Sequence, residues 1–152
     1  MSSANIFNAN LEVRQDENGA VFRTVQATGG ALAAGDVVIF EATLSSATNF
    51  AVKASSTTEQ DPTTIGVCTE TIASAAYGEV QIYGYNATVK VDGTTTSVAI
   101  EDVIASGLIA KKAAKQEYEN RDSSLGGMAL GYCMATVASG SDTTFACFID
   151  PR

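Results

Sequence analysis

Ile65-Gly66-Val67-Cys68-Thr69-Glu70-Thr71-Ile72-Ala73-Ser74 can be set above Leu130-Gly131-Tyr132-Cys133-Met134-Ala135-Thr136-Val137-Ala138-Ser139 at a constant offset of 65 residues. Gly, Cys, Thr, Ala and Ser coincide, and the remaining apolar positions are similar. A second pair of blocks matches at an offset of 66: Asp36-Val37-Val38 with Asp102-Val103-Ile104. Both blocks keep the same order, which weighs against chance similarity in an Ala/Thr/Ser-rich chain. Each Gly-Cys block is followed by a Gly-containing turn and a further strand, Glu79-Val80-Gln81-Ile82 and then Phe145-Ala146-Cys147-Phe148. The physical reading is two similar β halves, about residues 35–82 and 101–149. Each is too small to bury its own apolar face, and together they close a core. Gly66 and Gly131 then mark either a bulge or a close backbone approach. Cys68 and Cys133 hold matching places, which favours packing over chemistry.

Working outward, short period-2 segments dominate, separated by Gly, Ser, Thr, Asn and Asp, the pattern of an all-β chain. Leu11–Arg14 and Ala20–Val25 flank Asn18-Gly19, which reads as a hairpin with a type I′ turn. Gly29–Gly35 reads as a small-residue linker, and Asp36–Phe40 as a buried strand. In Asn49–Ala54, Phe50 and Val52 face one way, Ala51 and Lys53 the other. Ser55–Thr64 is a polar loop and Thr64–Ile72 a strand. Glu79–Tyr83 puts Val80 and Ile82 on one face, and Ala87–Asp92 puts Val89 and Val91 inward. The chain closes with strands over Met128–Val137 and Thr144–Ile149. Gly107–Arg121 stands apart: its Ala, Lys and Glu content fits one short helix. Its missing 3.6-residue period fits a solvated loop equally well. Lys111–Asp122 is dense in charge and is expected to be exposed.

The chain has 152 residues, the size of one domain. Residues 11–152 are expected to form a single β domain. Residues 1–10, polar except for Ile6 and Phe7, are expected to be an extended N-terminal arm. There is no histidine. That excludes Ser-His-Asp and Cys-His catalysis, His-ligated metal and imidazole as a general base. A net charge of −8 argues against nucleic acid and against an anionic membrane surface as partners. No apolar run approaches the ~20 residues of a membrane helix, and Met1–Asn5 does not begin a secretory signal. Cys68, Cys133 and Cys147 are widely spaced with no CxxC, so neither a disulfide framework nor a zinc site is expected. The carboxylate pairs Asp16/Glu17, Glu101/Asp102 and Glu117/Glu119 fall in turns or exposed stretches and read as solvated charges. Gly29-Gly30 and Gly126-Gly127 match no phosphate-binding loop, and Asp92-Gly93 matches no EF-hand. The chain is therefore expected not to be an enzyme, with no catalytic residues, no cofactor and no metal. A small hydrolase using carboxylates or a cysteine is the weakest alternative.

The order Gly35-Asp36-Val37-Val38, Ile65-Gly66-Val67, Tyr77-Gly78-Glu79-Val80, Val91-Asp92-Gly93, Asp102-Val103-Ile104 and Leu130-Gly131 before a closing strand resembles the small capsid decoration, or capsid cement, proteins of tailed bacteriophages. The likeness covers roughly Gly35 to Ile149. It implies a compact β-barrel or β-tulip-like domain on the outer surface of the virion capsid. It further implies a partner in the major capsid protein, and a homo-oligomer, with a trimer favoured. An arm carrying Asn5, Ile6, Phe7, Asn8 and Leu11 would suit strand addition to a neighbour's sheet edge. The same composition also suits another virion or extracellular structural β module: a fibre, tail or adhesion domain.

Overall fold

The computed structural model describes residues 12–57, 61–94, 97–116, 129–138 and 142–151. These residues form ten strands and no helix: β1 (Val13–Gln15), β2 (Val21–Ala27), β3 (Val37–Phe40), β4 (Ala51–Ala54), β5 (Thr64–Cys68), β6 (Tyr77–Asp92), β7 (Val103–Ser106), β8 (Ala113–Lys115), β9 (Gly131–Cys133) and β10 (Asp142–Ile149). The ladder closes on itself twice. Strands β2-β4-β3-β5-β6 follow one another, and β2 pairs back onto β6. Strands β6-β10-β9-β7-β8 do the same, and β8 pairs back onto β6. The architecture is thus all-β and barrel-like, two five-stranded rings sharing one long strand. Closure removes the open edges of these nine strands; the tenth, β1, pairs only with β2 and remains an exposed edge.

The shared strand divides near its middle. Tyr77–Tyr83 runs antiparallel to β2, and Gly84–Asp92 runs antiparallel to β10. Gly84 adopts a φ of 101° at the changeover, and a Cβ there would lie 2.8 Å from the Ala20 Cα. Buried Gln81 and Asn86 serve the backbone at this point. The Gln81 side-chain amide donates to the carbonyls of Tyr83 (3.1 Å) and Tyr85 (2.9 Å), and Asn86 Nδ2 donates to Gln81 Oε1 (2.9 Å). A buried polar network satisfied in this way fixes one geometry.

The two matched sequence blocks fall on matching contacts. Cys68 N–H donates to Asp36 O, and Cys133 N–H donates to Asp102 O, both at 2.9 Å. Gly35 and Glu101, at φ 84° and 72°, each donate N–H to the carbonyl of the matching cysteine at 2.8 Å. Leu32 bridges Ile72 as Val98 bridges Val137. Gly66 and Gly131 are both close approaches: an added Cβ would stand 2.1 Å from Gln81 O and 1.9 Å from Phe148 O, respectively.

Two apolar clusters fill the rings. Val25, Ala27, Leu32, Val38, Val52, Cys68, Ile72 and Val80 form the first. The second gathers Val89, Val91, Ile104, Leu130, Cys133, Cys147 and Ile149, and also takes in Val37 and Val67 from the first ring. The rings are joined by backbone bonds as well: Val37 N–H to Lys111 O (2.9 Å) and Lys111 N–H to Ser55 O (3.1 Å). The buried Asp36 carboxylate ties the same seam. It accepts from Ala33 N–H (2.9 Å) and pairs with Lys90 and with Lys111 (3.3 Å).

Several expectations need correction. Ala113–Lys115, inside the stretch read as helix or loop, is a strand. It pairs with β7 and lies parallel to β6 at Val91. Closing the second ring requires a strand there, and that outweighs the helix propensity of an Ala/Lys segment. Ala113 and Gln116 are buried, so the expected exposure fails at these two positions; residues 117–122 lie outside the described ones. Asn18-Gly19 does not form a type I′ turn, because Gly19 has a positive φ and Asn18 does not. Gly19 N–H donates to Asp16 O (3.2 Å) and Asp16 N–H to Ala20 O (2.9 Å), a three-residue loop with Gly at the left-handed position. Asp16 Oδ1 stabilises it by accepting from Asn18 N–H (2.9 Å) and Ala20 N–H (2.8 Å). The Gly29–Gly35 linker contains a buried, bridged Leu32. The strand expected over Thr64–Ile72 stops at Cys68, and that over Met128–Val137 is confined to Gly131–Cys133 among the described residues. The two strands read from Glu79–Tyr83 and Ala87–Asp92 are one.

Candidate docking face

In the second ring, alternation along β9 and β10 sends Cys133, Cys147 and Ile149 inward and Tyr132 and Phe148 outward. On β6, Tyr85 takes the outward position between buried Gly84 and Asn86. The register sets these side chains in one row, Tyr85 opposite Phe148, Phe148 opposite Tyr132, and Tyr132 opposite Val103. Tyr83 meets Phe148 edge to face, with centroids 5.3 Å apart. Cross-strand aromatic pairs of this kind each stabilise a sheet by about 0.2–1 kcal/mol. Beside the row, Ile100, Glu101, Tyr132, Met134 and Phe148 enclose a shallow groove of about 330 Å³ with Cys133 at its floor. Tyr85 is 56% exposed, Ile100 58% and Met134 47%. Scattered exposed apolar residues are ordinary, but a contiguous group marks an interaction surface.

The repeat sharpens this. Val37 and Val67 are paired across β3 and β5 at the positions that Val103 and Tyr132 hold in the second ring. Val37 and Val67 are fully buried because the second ring's cluster covers them. Tyr132 remains 37% exposed. The second ring therefore leaves open the face by which the first ring packs against its neighbour.

Neither a family model nor a curated protein matches the sequence. The fold is similar to that of the head fiber gp8.5 N base of bacteriophage phi29, with a TM-score of 0.56 over 86% of this chain and 94% of that one, at 14% identity. That likeness is one of fold.

The residues expected to carry partner binding, Asn5, Ile6, Phe7, Asn8 and Leu11, lie outside the described residues. The remaining candidates for chemistry do not converge. Asp16 caps its hairpin. Asp102 accepts from Ala99 N–H (2.7 Å) and pairs with Lys115 (2.9 Å). Burial works against its ionised form, yet these two partners hold Asp102 below the ordinary carboxylate range. Among the described residues no three His, Cys, Asp or Glu side chains gather to hold a metal ion. The aromatic row escaped the sequence reading. Tyr83 and Tyr85 share the period-2 phase of the inward Val89 and Val91, and only the register shift between Phe145 and Cys147 turns Tyr85 to the outer face.

Proposed function

We propose that this chain is a structural protein of a phage virion that acts by binding rather than by catalysis. It sits on the outer surface of the capsid as a decoration protein and bridges major capsid proteins, most simply as a trimer. The observation that carries the reading is the uncovered face around Tyr85, Tyr132, Met134 and Phe148, which the fold itself covers at the matching place in the first ring. The virion setting draws support from the likeness to a phage head fibre base and from the resemblance to capsid cement proteins. A charge of −8 suits the outside of a DNA-filled shell, where binding to phosphate is not wanted.

The test is to mix the purified protein with undecorated, expanded capsids and image them. Density at regular lattice positions on the outer surface is expected. Its absence there refutes the decoration role. The combined substitution Tyr85→Ser, Tyr132→Ser, Met134→Ser should leave the rings folded and weaken binding at least tenfold, since a buried aromatic anchor contributes about 2 kcal/mol or more to an interface. A second reading, the base of a head fibre, is favoured by the name of the structural neighbour. It places the protein on sparse projections rather than at every lattice site, and the same images separate the two.

A further inference from the structure

Cys133 and Cys147 face each other across β9 and β10. Met134 N–H donates to Ala146 O (2.9 Å) one residue beyond the two cysteines. That bond makes Cys133 and Cys147 a non-hydrogen-bonded pair, the closer of the two antiparallel kinds, with Cα atoms ~4.5 Å apart. Disulfides accept Cα separations of about 4.4–6.8 Å. Both side chains point into the same core and are essentially unexposed. All three cysteines are thiols in this structure.

From this juxtaposition we propose that Cys133 and Cys147 are a cross-strand dithiol that closes to an intramolecular disulfide in an oxidising setting and locks β9 to β10 beneath the docking face. The first ring supplies an internal control. Cys68 occupies the place of Cys133, down to the thiol donating to the carbonyl two residues on, Glu70 O (3.2 Å) for Cys68 and Ala135 O (2.9 Å) for Cys133. But Cys68 is opposite Val80, so it has nothing to pair with. The chemical contrast follows. Burial raises the Cys68 thiol to about 11, whereas the hydrogen bond from Cys147 pulls Cys133 down and makes it the better thiolate. Cys147, the donor, is pushed up. Cys133 is only 1% exposed, so an oxidant reaches its thiol during folding or when β9 opens locally.

The oxidant required is a low-molecular-weight disulfide. The Cys133 thiolate attacks one of its sulfurs, forming a mixed disulfide and expelling one thiolate. Cys147 then attacks the Cys133 sulfur and expels the second. Two protein thiols are oxidised, one external disulfide is reduced to two thiols, and the protons lost by the cysteines end on those leaving groups or in solvent. The closure depends only on the fold. Its use in a particle released from a reducing cytoplasm into an oxidising medium rests on the proposed virion role.

Incubating the full-length protein with oxidised glutathione tests the pair directly. One sample is kept folded and a second is refolded from urea in the same buffer. Alkylation and peptide mapping follow. The expected product in the refolded sample, and more slowly in the folded one, is monomer that has lost two hydrogens, with Cys133 joined to Cys147 and Cys68 alkylated. Cys68→Ala should leave the cross-link unchanged, and Cys147→Ala should abolish it. The oxidised protein should melt at a higher temperature than the reduced one and keep its far-UV spectrum. A refolded monomer in which Cys68 pairs with either partner, or in which all three thiols stay free, overturns the proposal. Capsid binding is not part of the readout, so the pair can fail while the virion role survives, and the reverse.

Discussion

Replacing Gly66 by Ala tests the closeness of the first ring. A Cβ built on Gly66 stands 2.1 Å from the Gln81 carbonyl oxygen and 3.1 Å from a Val80 methyl. The nearest carbon–oxygen contacts that strands tolerate are about 3.3 Å, so β5 must withdraw from β6 by roughly 1.2 Å. In an open sheet an edge strand could drift outward. Here β5 is held on its other side by β3 through Val37 and Val38, and β6 is held by β2. The shift therefore loosens the Val67–Gln81 and Cys68–Val80 pairs. Overpacking costs about 1–3 kcal/mol, and a weakened ladder bond adds about 1 kcal/mol. A loss of roughly 3 kcal/mol follows, which for a chain of this size lowers the melting temperature by about 6–12 °C.

Urea unfolding followed by far-UV circular dichroism reads the change as a lower midpoint at unchanged slope. Gly131→Ala should cost at least as much, since its Cβ would lie 1.9 Å from Phe148 O and its φ is 155°. Gly30→Ala is the contrast. Gly30 has a φ of 140° but no atom within 4 Å of the added carbon, so only backbone strain of about 1 kcal/mol applies. A Gly66→Ala protein within 0.5 kcal/mol of the parent, or one no worse than Gly30→Ala, would refute the close approach of β5 to β6.

Two further outcomes follow from the carboxylates. Asp36→Ala strands Lys90 and Lys111 at the seam and removes the partner of Ala33 N–H. A loss of about 3–5 kcal/mol is expected, as for breaking other buried pairs. Asp102→Ala, whose carboxylate is part-exposed beside one lysine, should cost about 1 kcal/mol; equal losses in chemical denaturation would show that the seam pairing adds nothing. Acid titration addresses Asp102 and Glu79, both held below the ordinary carboxylate range, Glu79 chiefly by its hydrogen bond from Arg14. Their folded-state pKa lies under the unfolded one, so their contribution is complete above the unfolded value and disappears as pH falls through the folded value. Melting temperature should drop below about pH 4, and the double substitution Glu79→Gln, Asp102→Asn should flatten that drop. An unchanged slope would remove these two groups from the account.

The all-β class was legible because apolar and polar residues alternate in short segments such as Val80–Ile82 and Val89–Val91, separated by turn-forming residues. Gly66 and Gly131 were legible as special positions because only glycine admits a carbonyl so near. What was not legible depends on which strand lies alongside which. Nothing within Ala113–Lys115 marks a strand; the pairing with Val91 and with β7 does. Two period-2 segments separated by Gly84-Tyr85-Asn86 look like two strands until Gln81 and Asn86 are seen to stabilise the passage between them. The docking face was hidden for the same reason. Val67 and Tyr132 hold the same place in the repeat, and only the packing of the rings decides which of them is covered.

That asymmetry is a consequence of sharing a strand. Because β6 is the last strand of one ring and the first of the next, the second ring lies against the outer side of β3 and β5, where Val37 and Val67 are buried in its cluster. A chain with two rings has one such junction and one unused counterpart of it. Evolution can make the unused counterpart polar, or it can keep it apolar for a partner. Here Tyr132 replaces the valine of the first ring, with Tyr85, Met134 and Ile100 exposed around it. Tyrosine fits an exposed position that must become buried, since its ring supplies contact area and its hydroxyl stays hydrated until the partner arrives. The face is therefore built on strands fixed by ring closure, and a partner that docks there meets an ordered surface. Little ordering entropy then opposes binding, which favours a durable contact.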